Sequence, residues 1–214
     1  MNEAGVLRYF ARYNAMVWPM QLVVYLLCFI ALFLAVKKYK YSDRTIAVIL
    51  AFFWAWNGIV FFPPTGAAFA PYYAVAALFV IQGILFLIGV AKPFVSYRIG
   101  TDIYSLTGIV LILYGLIGSP LVGVLVGHLY PQMALVGLFP CPLLAFTFGM
   151  LLCADSKVPK YLLVIPLLWG LSGVMGMAMG MWEDLGMLLS ALLATAMIVY
   201  RDRMVMIGHA PRPA

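Results

Sequence analysis

His128 is one of two histidines in the chain and falls in a short connection between long apolar runs, whereas His209 belongs to a basic tail. An imidazole there can exchange a proton near neutral pH, where other side chains rarely do. Glu183 and Asp184 stand together just before the last apolar run. Adjacent residues cannot share one direction on a helix. Asp184 is therefore expected to cap that run, where the helix dipole favours negative charge, which leaves Glu183 for an ion or a proton. Cys141 sits between Pro140 and Pro142, and an interrupted helix start would free backbone carbonyls for a cation or a polar solute. A thiolate, an imidazole and a carboxylate form either a soft-ion set or a nucleophile, base and orienter. No spacing motif selects one, so no catalytic residue is assigned and metal binding at Cys141 stays open. Gln21, Asn57, Gln82, Tyr130, Trp54 and Trp169 join His128, Cys141 and Glu183 as ligand- or ion-binding candidates, being polar or indole groups in or beside apolar runs.

The elements that must position these residues are set by composition. The 214 residues are 66% hydrophobic and 9% charged, which excludes a water-soluble fold. A net charge of +6 does not indicate nucleic acid, because the basic residues lie in short clusters between apolar runs. A helix needs roughly 20 apolar residues to cross a bilayer. Seven runs approach that length: 18–36, 45–62, 72–91, 103–118, 133–154, 161–181 and 185–200. The expected fold is an all-α polytopic membrane protein with seven transmembrane helices. Three cysteines without CxxC spacing indicate neither a disulfide framework nor a thiolate metal cage.

Orientation follows from Lys and Arg. Eleven of the thirteen lie after the first, third, fifth and seventh runs, among them Lys37, Lys38, Lys40, Arg44, Arg98 and Arg201. The connections after the second, fourth and sixth runs hold none, and carry His128, Glu183 and Asp184 instead. Positive loops stay in the cytoplasm, so the N-terminus is expected outside and the C-terminus inside. Arg8 and Arg12, beside Leu7, Tyr9, Phe10 and Tyr13, suit a helix lying on the membrane surface. No removed signal peptide is expected, since no small-residue cleavage site follows a compact apolar core. The organisation is then an interfacial segment 1–17, a membrane domain 18–200 and a basic cytoplasmic tail 201–214.

Trp18-Pro19-Met20-Gln21-Leu22 matches Phe139-Pro140-Cys141-Pro142-Leu143, and Trp54 with Gly58 matches Trp169 with Gly173. Runs one to three would repeat as runs five to seven, in parallel, with the fourth as linker. That layout alone resembles the SWEET and PQ-loop transporters; the prolines here stand at helix ends and no clear Pro-Gln dipeptide is present. A closer resemblance spans most of the chain. Tyr13-Asn14, Trp18-Pro19, Gln82-Gly83, Gly127-His128-Leu129-Tyr130-Pro131, Phe139-Pro140-Cys141-Pro142 and Glu183-Asp184 resemble a bacterial family of small inner-membrane proteins of uncharacterised function. The resemblance implies topology and marks positions without naming a reaction.

No Lys lies in the last run, and neither a phosphate loop nor HExxH occurs, so retinal, nucleotide and zincin chemistry are not indicated and no cofactor is expected. The leading expectation is a small secondary transporter or permease of the cell inner membrane, multi-pass, for an unidentified small solute or ion. Its polar outer-half residues Gln21, Asn57, His128, Cys141 and Glu183 would line one cavity. A membrane-embedded enzyme acting on a lipid-like substrate and a sensory or accessory subunit are the alternatives. The expected partners are the lipid bilayer and a small ligand, with no nucleic acid and with a homo-oligomer left open.

Overall fold

The computed structural model describes residues 3–66 and 70–206, so His209 and Arg212 lie outside the described residues. The described residues build eight helices and no strand: α1 (Glu3–Met16), α2 (Met20–Val36), α3 (Ser42–Thr65), α4 (Pro71–Ala91), α5 (Ile103–Leu125), α6 (Pro140–Leu152), α7 (Tyr161–Ala178) and α8 (Asp184–Met206). Five of them, α3, α4, α5, α7 and α8, are long and apolar enough to cross a membrane. A sixth span is reached only if α1 and α2 count together across their 85° bend. The bend falls at Pro19, which has no N–H to continue a helix.

The run expected at 133–154 is a helix of only 13 residues, because α6 cannot begin before Pro140. A residue preceding proline is pushed out of the helical region, and Phe139 is extended at φ −115°, ψ 142°. Upstream, Gly137 turns the chain at φ +77°, where an added Cβ would come within 3.1 Å of Val24. At 1.5 Å per residue, α6 covers about 20 Å, well short of a bilayer core. It lies inside the bundle, with every residue except Cys141 buried. A helix that is apolar all round belongs in such a position.

Close approach of small residues lets the other helices surround α6. On α5 and α6 the backbones touch at Gly108 and Gly149, where a Cβ on Gly149 would stand 2.6 Å from the Gly108 carbonyl. Gly170 of α7 lies against Ala191 of α8, and Gly83 of α4 against the Ala51 carbonyl of α3. Two wide π-type turns, at Asn57–Phe61 in α3 and Tyr114–Gly118 in α5, loosen the backbone ladder near one end of the bundle.

The connections rich in Lys and Arg meet at the opposite end. The Tyr97 N–H donates to Asp43 (2.8 Å), which also pairs with Lys38 (3.1 Å), and the Arg98 N–H donates to the Cys153 carbonyl (3.0 Å). Arg201 donates to the Leu152 and Ala154 carbonyls at 2.9 and 3.1 Å, closing the C-terminus of α6. Asp202 accepts from the Val158 N–H and pairs with Lys160. Arg201 and Asp202, expected in the tail, are therefore helical and buried.

Candidate functional site

The end away from the basic connections is assembled from α1, the irregular chain 126–139, the end of α7 and the start of α8. His128 is fixed just past α5, where its N–H donates to the Gly123 carbonyl (2.8 Å) after the left-handed turn at Gly127, φ +95°. Its Nδ1 lies 3.2 Å from Glu183 Oε1 and its Nε2 3.4 Å from Glu3 Oε1. His128 and Glu183 are only 2% and 3% exposed, while the Glu3 side chain is half open to solvent. A neutral imidazole carries one N–H and satisfies one carboxylate, whereas an imidazolium satisfies both. The three groups form a chain along which a proton can pass from surface to interior.

Glu183 is held from both sides, since Tyr114 Oη donates to its backbone carbonyl (2.6 Å). Gly180, at φ +92°, makes the turn that brings Glu183 under Glu3, and a Cβ there would meet Glu3 Oε2 at 2.7 Å. Asp184 stands in the first turn of α8, as expected for a dipole partner. Its carboxylate packs on Gly176 so tightly that a Cβ there would lie 1.8 Å from Oδ2. Cys141 faces this Asp184 carboxylate. The nucleophile, base and orienter set weighed from sequence is thus not assembled, because both His128 nitrogens are taken by Glu183 and Glu3. Pro140 and Pro142 open α6 in the ordinary way for a first helical turn. Among the described residues, no group of three His, Cys, Asp or Glu side chains could hold a metal ion.

A cavity of about 300 Å³ lies beside these acids, between α1, α3, α4, α6, α7 and the turn into α8. Its walls are aromatic (Tyr9, Phe10, Phe61, Phe62, Tyr72, Trp169) and thioether (Met175, Met179, Met181, Met187), with Cys141, Ser172, Glu183 and Asp184 as its polar edge. Helix α1 closes one side. Val6, Tyr9, Phe10 and Tyr13 follow the i, i+3, i+4, i+7 spacing of a helical face. That face turns onto protein, with ring centroids 4.7 Å apart for Phe10 and Phe139 and 5.1 Å for Tyr13 and Phe61. The segment expected to lie on the membrane surface is thus a helix whose aromatic face packs on the bundle.

Of the nine candidates, Cys141, Trp169 and Glu183 line the cavity and His128 stands behind Glu183. The other five do not line it. Gln21 donates to the Asn14 carbonyl (2.8 Å), and Asn57 to the Phe53 and Gly137 carbonyls at 2.9 and 2.8 Å. Gln82 donates to the Leu162 carbonyl (3.1 Å), joining α4 to α7. Trp54 donates to Thr147 of α6 (3.0 Å), and Tyr130 is exposed in the loop. The single polar vestibule expected from sequence is therefore not formed. Buried amides are drawn to backbone carbonyls that irregular chain and π-type turns leave over.

Glu3 is absent from the nine candidates, since it carries no signal beyond being an acid in a first helical turn. Asn14, marked in the sequence only through the family resemblance, ties α1 to the Pro131 and Met133 carbonyls at 2.7 and 2.9 Å. The aromatic spacing of α1 was the available sign that this helix packs on the bundle. No curated protein and no solved structure matches the chain. A family model does match, over residues 5–209, and the chain belongs to that family of unknown function, DUF6064.

Proposed function

We propose that the protein is a small secondary transporter or permease, multi-pass in the cell inner membrane, that takes a small solute into the cavity beside α1. One observation carries this reading: an apolar cavity of about 300 Å³ borders two buried acids, one of them linked through His128 to the half-exposed Glu3. A ligand site of this kind is concave, mostly apolar and furnished with few polar groups.

In this reading α2 to α8 are the seven segments of the membrane domain, with α6 enclosed by the rest and α1 lying along the outer surface. Gathering of the basic connections at one end supports a cytoplasmic face there, by the positive-inside rule. The cavity then opens outward. Trp54 and Trp169, equivalent in a three-plus-one-plus-three repeat, both pack on the Phe79 ring, at 4.6 and 5.4 Å. Below the cavity, Trp54, Phe53, Phe79 and Phe146 are fully buried, which suits an outward-open state with the inner half closed.

The test is uptake into proteoliposomes of four solute classes: alkylamines, amino acids, monocarboxylates and sugars. Saturable uptake of at least one is expected, and it should be lost in Ala134→Phe, which fills the cavity from its wall. Binding without uptake would overturn transport and leave a sensory or accessory subunit.

A further inference from the structure

We propose that the cavity is built for a small organic cation, an ammonium group carrying apolar substituents. The inference rests on the reading above that this cavity is the solute site, and it names the chemistry of the solute.

Charge gives the first argument. Among the described residues that line the cavity, Glu183 and Asp184 are the only ionisable side chains apart from Cys141, Tyr9 and Tyr72, and none is Lys, Arg or His. His128 touches Glu183 from behind, but Glu183 and Glu3 share that one imidazole, and the Asp184 carboxylate faces Cys141 and Gly176 instead. An anionic solute would meet like charge at short range and lose its hydration in the same step.

Unmet hydrogen bonding gives the second. Glu183 is 3% exposed, and its Oε2 has no hydrogen-bond partner although Oε1 lies on His128. A buried polar atom left without a partner costs free energy that a ligand can return. An ammonium group offers positive charge to the carboxylate edge, and a neutral apolar solute offers nothing there.

The walls give the third. Phe62 and Trp169 meet edge to face at 5.3 Å, Phe61 and Phe62 at 5.1 Å, and Tyr9 and Phe61 at 5.5 Å, so the rings form a continuous aromatic lining. Aromatic faces attract cations through the ring quadrupole, Trp most strongly, and the effect grows when water is excluded. The methionines supply polarisable, adaptable contact for alkyl substituents. A volume of about 300 Å³ stands at the small end of ligand pockets, which suits one ammonium head with a ring or a short chain.

The experiment uses the full chain in nanodiscs with three probes of similar size: dimethylbenzylammonium, which keeps one N–H for Glu183 Oε2, benzyl alcohol and phenylacetate. Affinity is read by tryptophan fluorescence, and uptake of the labelled cation is read in proteoliposomes. The cation is expected to bind about tenfold or more tighter than either other probe, the margin a desolvated cation–π contact supplies. Glu183→Gln combined with Asp184→Asn should remove that margin, bringing the cation down to the affinity of benzyl alcohol for the same variant. If the double variant does not fold, the wild-type ranking decides alone. Equal or tighter binding of benzyl alcohol or phenylacetate overturns the cation assignment and keeps the cavity as a solute site. Failure of all three to bind, with no uptake of any of the four solute classes, overturns both.

Discussion

Glu183 Oε1 and His128 Nδ1 lie 3.2 Å apart across 55 residues of sequence, and together they join the loop after α5 to the residue preceding α8. Both side chains are buried, so water screens the pair little. Removing one leaves the other with an unmet polar group in a low-dielectric setting, which costs more than an exposed pair would. A double-mutant cycle with His128→Asn and Glu183→Gln is expected to give a coupling of about 1–3 kcal/mol. Thermal or denaturant unfolding in detergent measures it. Strict additivity would mean that the contact carries no energy.

The Glu3 contact with the same imidazole should behave differently, since its side chain is half in solvent. An exposed pair is worth about 0–1 kcal/mol. Besides Asn14, α1 is held down by Tyr13, fully buried, whose Oη accepts from Trp56 Nε1 (2.7 Å) and donates to the Leu138 carbonyl (3.3 Å). Tyr13→Phe is therefore expected to cost about 1 kcal/mol or more by leaving the indole N–H unpaired, and Glu3→Gln less. Proteolysis between α1 and α2 reports the difference: cleavage should be faster in Tyr13→Phe than in Glu3→Gln.

Glycine substitutions separate backbone contact from ordinary helix preference. A Cβ on Gly149 would sit 2.6 Å from the Gly108 carbonyl and 2.9 Å from the Ile112 nitrogen, and backbone cannot swing aside. On Gly123 of α5 the nearest atom would be 3.7 Å away, an ordinary contact. Gly149→Ala should destabilise by several kcal/mol or fail to fold, as overpacking in a rigid core does. Gly123→Ala should be neutral or stabilise by up to about 1 kcal/mol through helix propensity. Melting temperatures in one detergent rank the two.

Cytoplasmic placement of the basic end is open to labelling. In a background with Cys28, Cys141 and Cys153 replaced, Lys40→Cys should resist an impermeant maleimide added to intact cells, and Leu129→Cys, 58% exposed at the other end, should react. The reverse pattern would invert the molecule and place the cavity inside.

Helices whose ends carry strong chemical marks were legible in the sequence. The run expected at 72–91 is Pro71–Ala91, and 161–181 is Tyr161–Ala178, because proline, charge and glycine bound them. The start of α6 was misread, as apolarity over 133–139 hides the backbone veto of Pro140 and the left-handed turn at Gly137. His128, Glu183 and Cys141 stood out because polar groups are scarce in such a chain. Gln21 and Asn57 stood out for the same reason, yet they serve backbone carbonyls. Whether a buried polar group holds a ligand or its own backbone depends on which carbonyls the fold leaves free, and residue type does not encode that.

At the basic end, Asp102 caps α5: its carboxylate accepts from the Tyr104 and Ser105 N–H groups at 2.9 and 3.2 Å and from Ser105 Oγ at 2.9 Å. Partial burial pushes its pKa up, but these hydrogen bonds outweigh that, and the net shift is downward from the usual 3.8. A carboxylate whose folded pKa is depressed adds stability that is present above its unfolded pKa and is lost as pH falls through the folded one. Asp102→Ala is accordingly expected to cost about 1 kcal/mol at pH 7, the usual worth of an N-cap. The gap between variant and wild type should narrow as pH drops below about 4. Asp102→Asn keeps a capping oxygen, so it should recover most of the loss at pH 7 while flattening the pH dependence. Unfolding curves at pH 7 and near pH 3 test all three, and a gap that stays constant between the two would show that the cap does not draw on the charge.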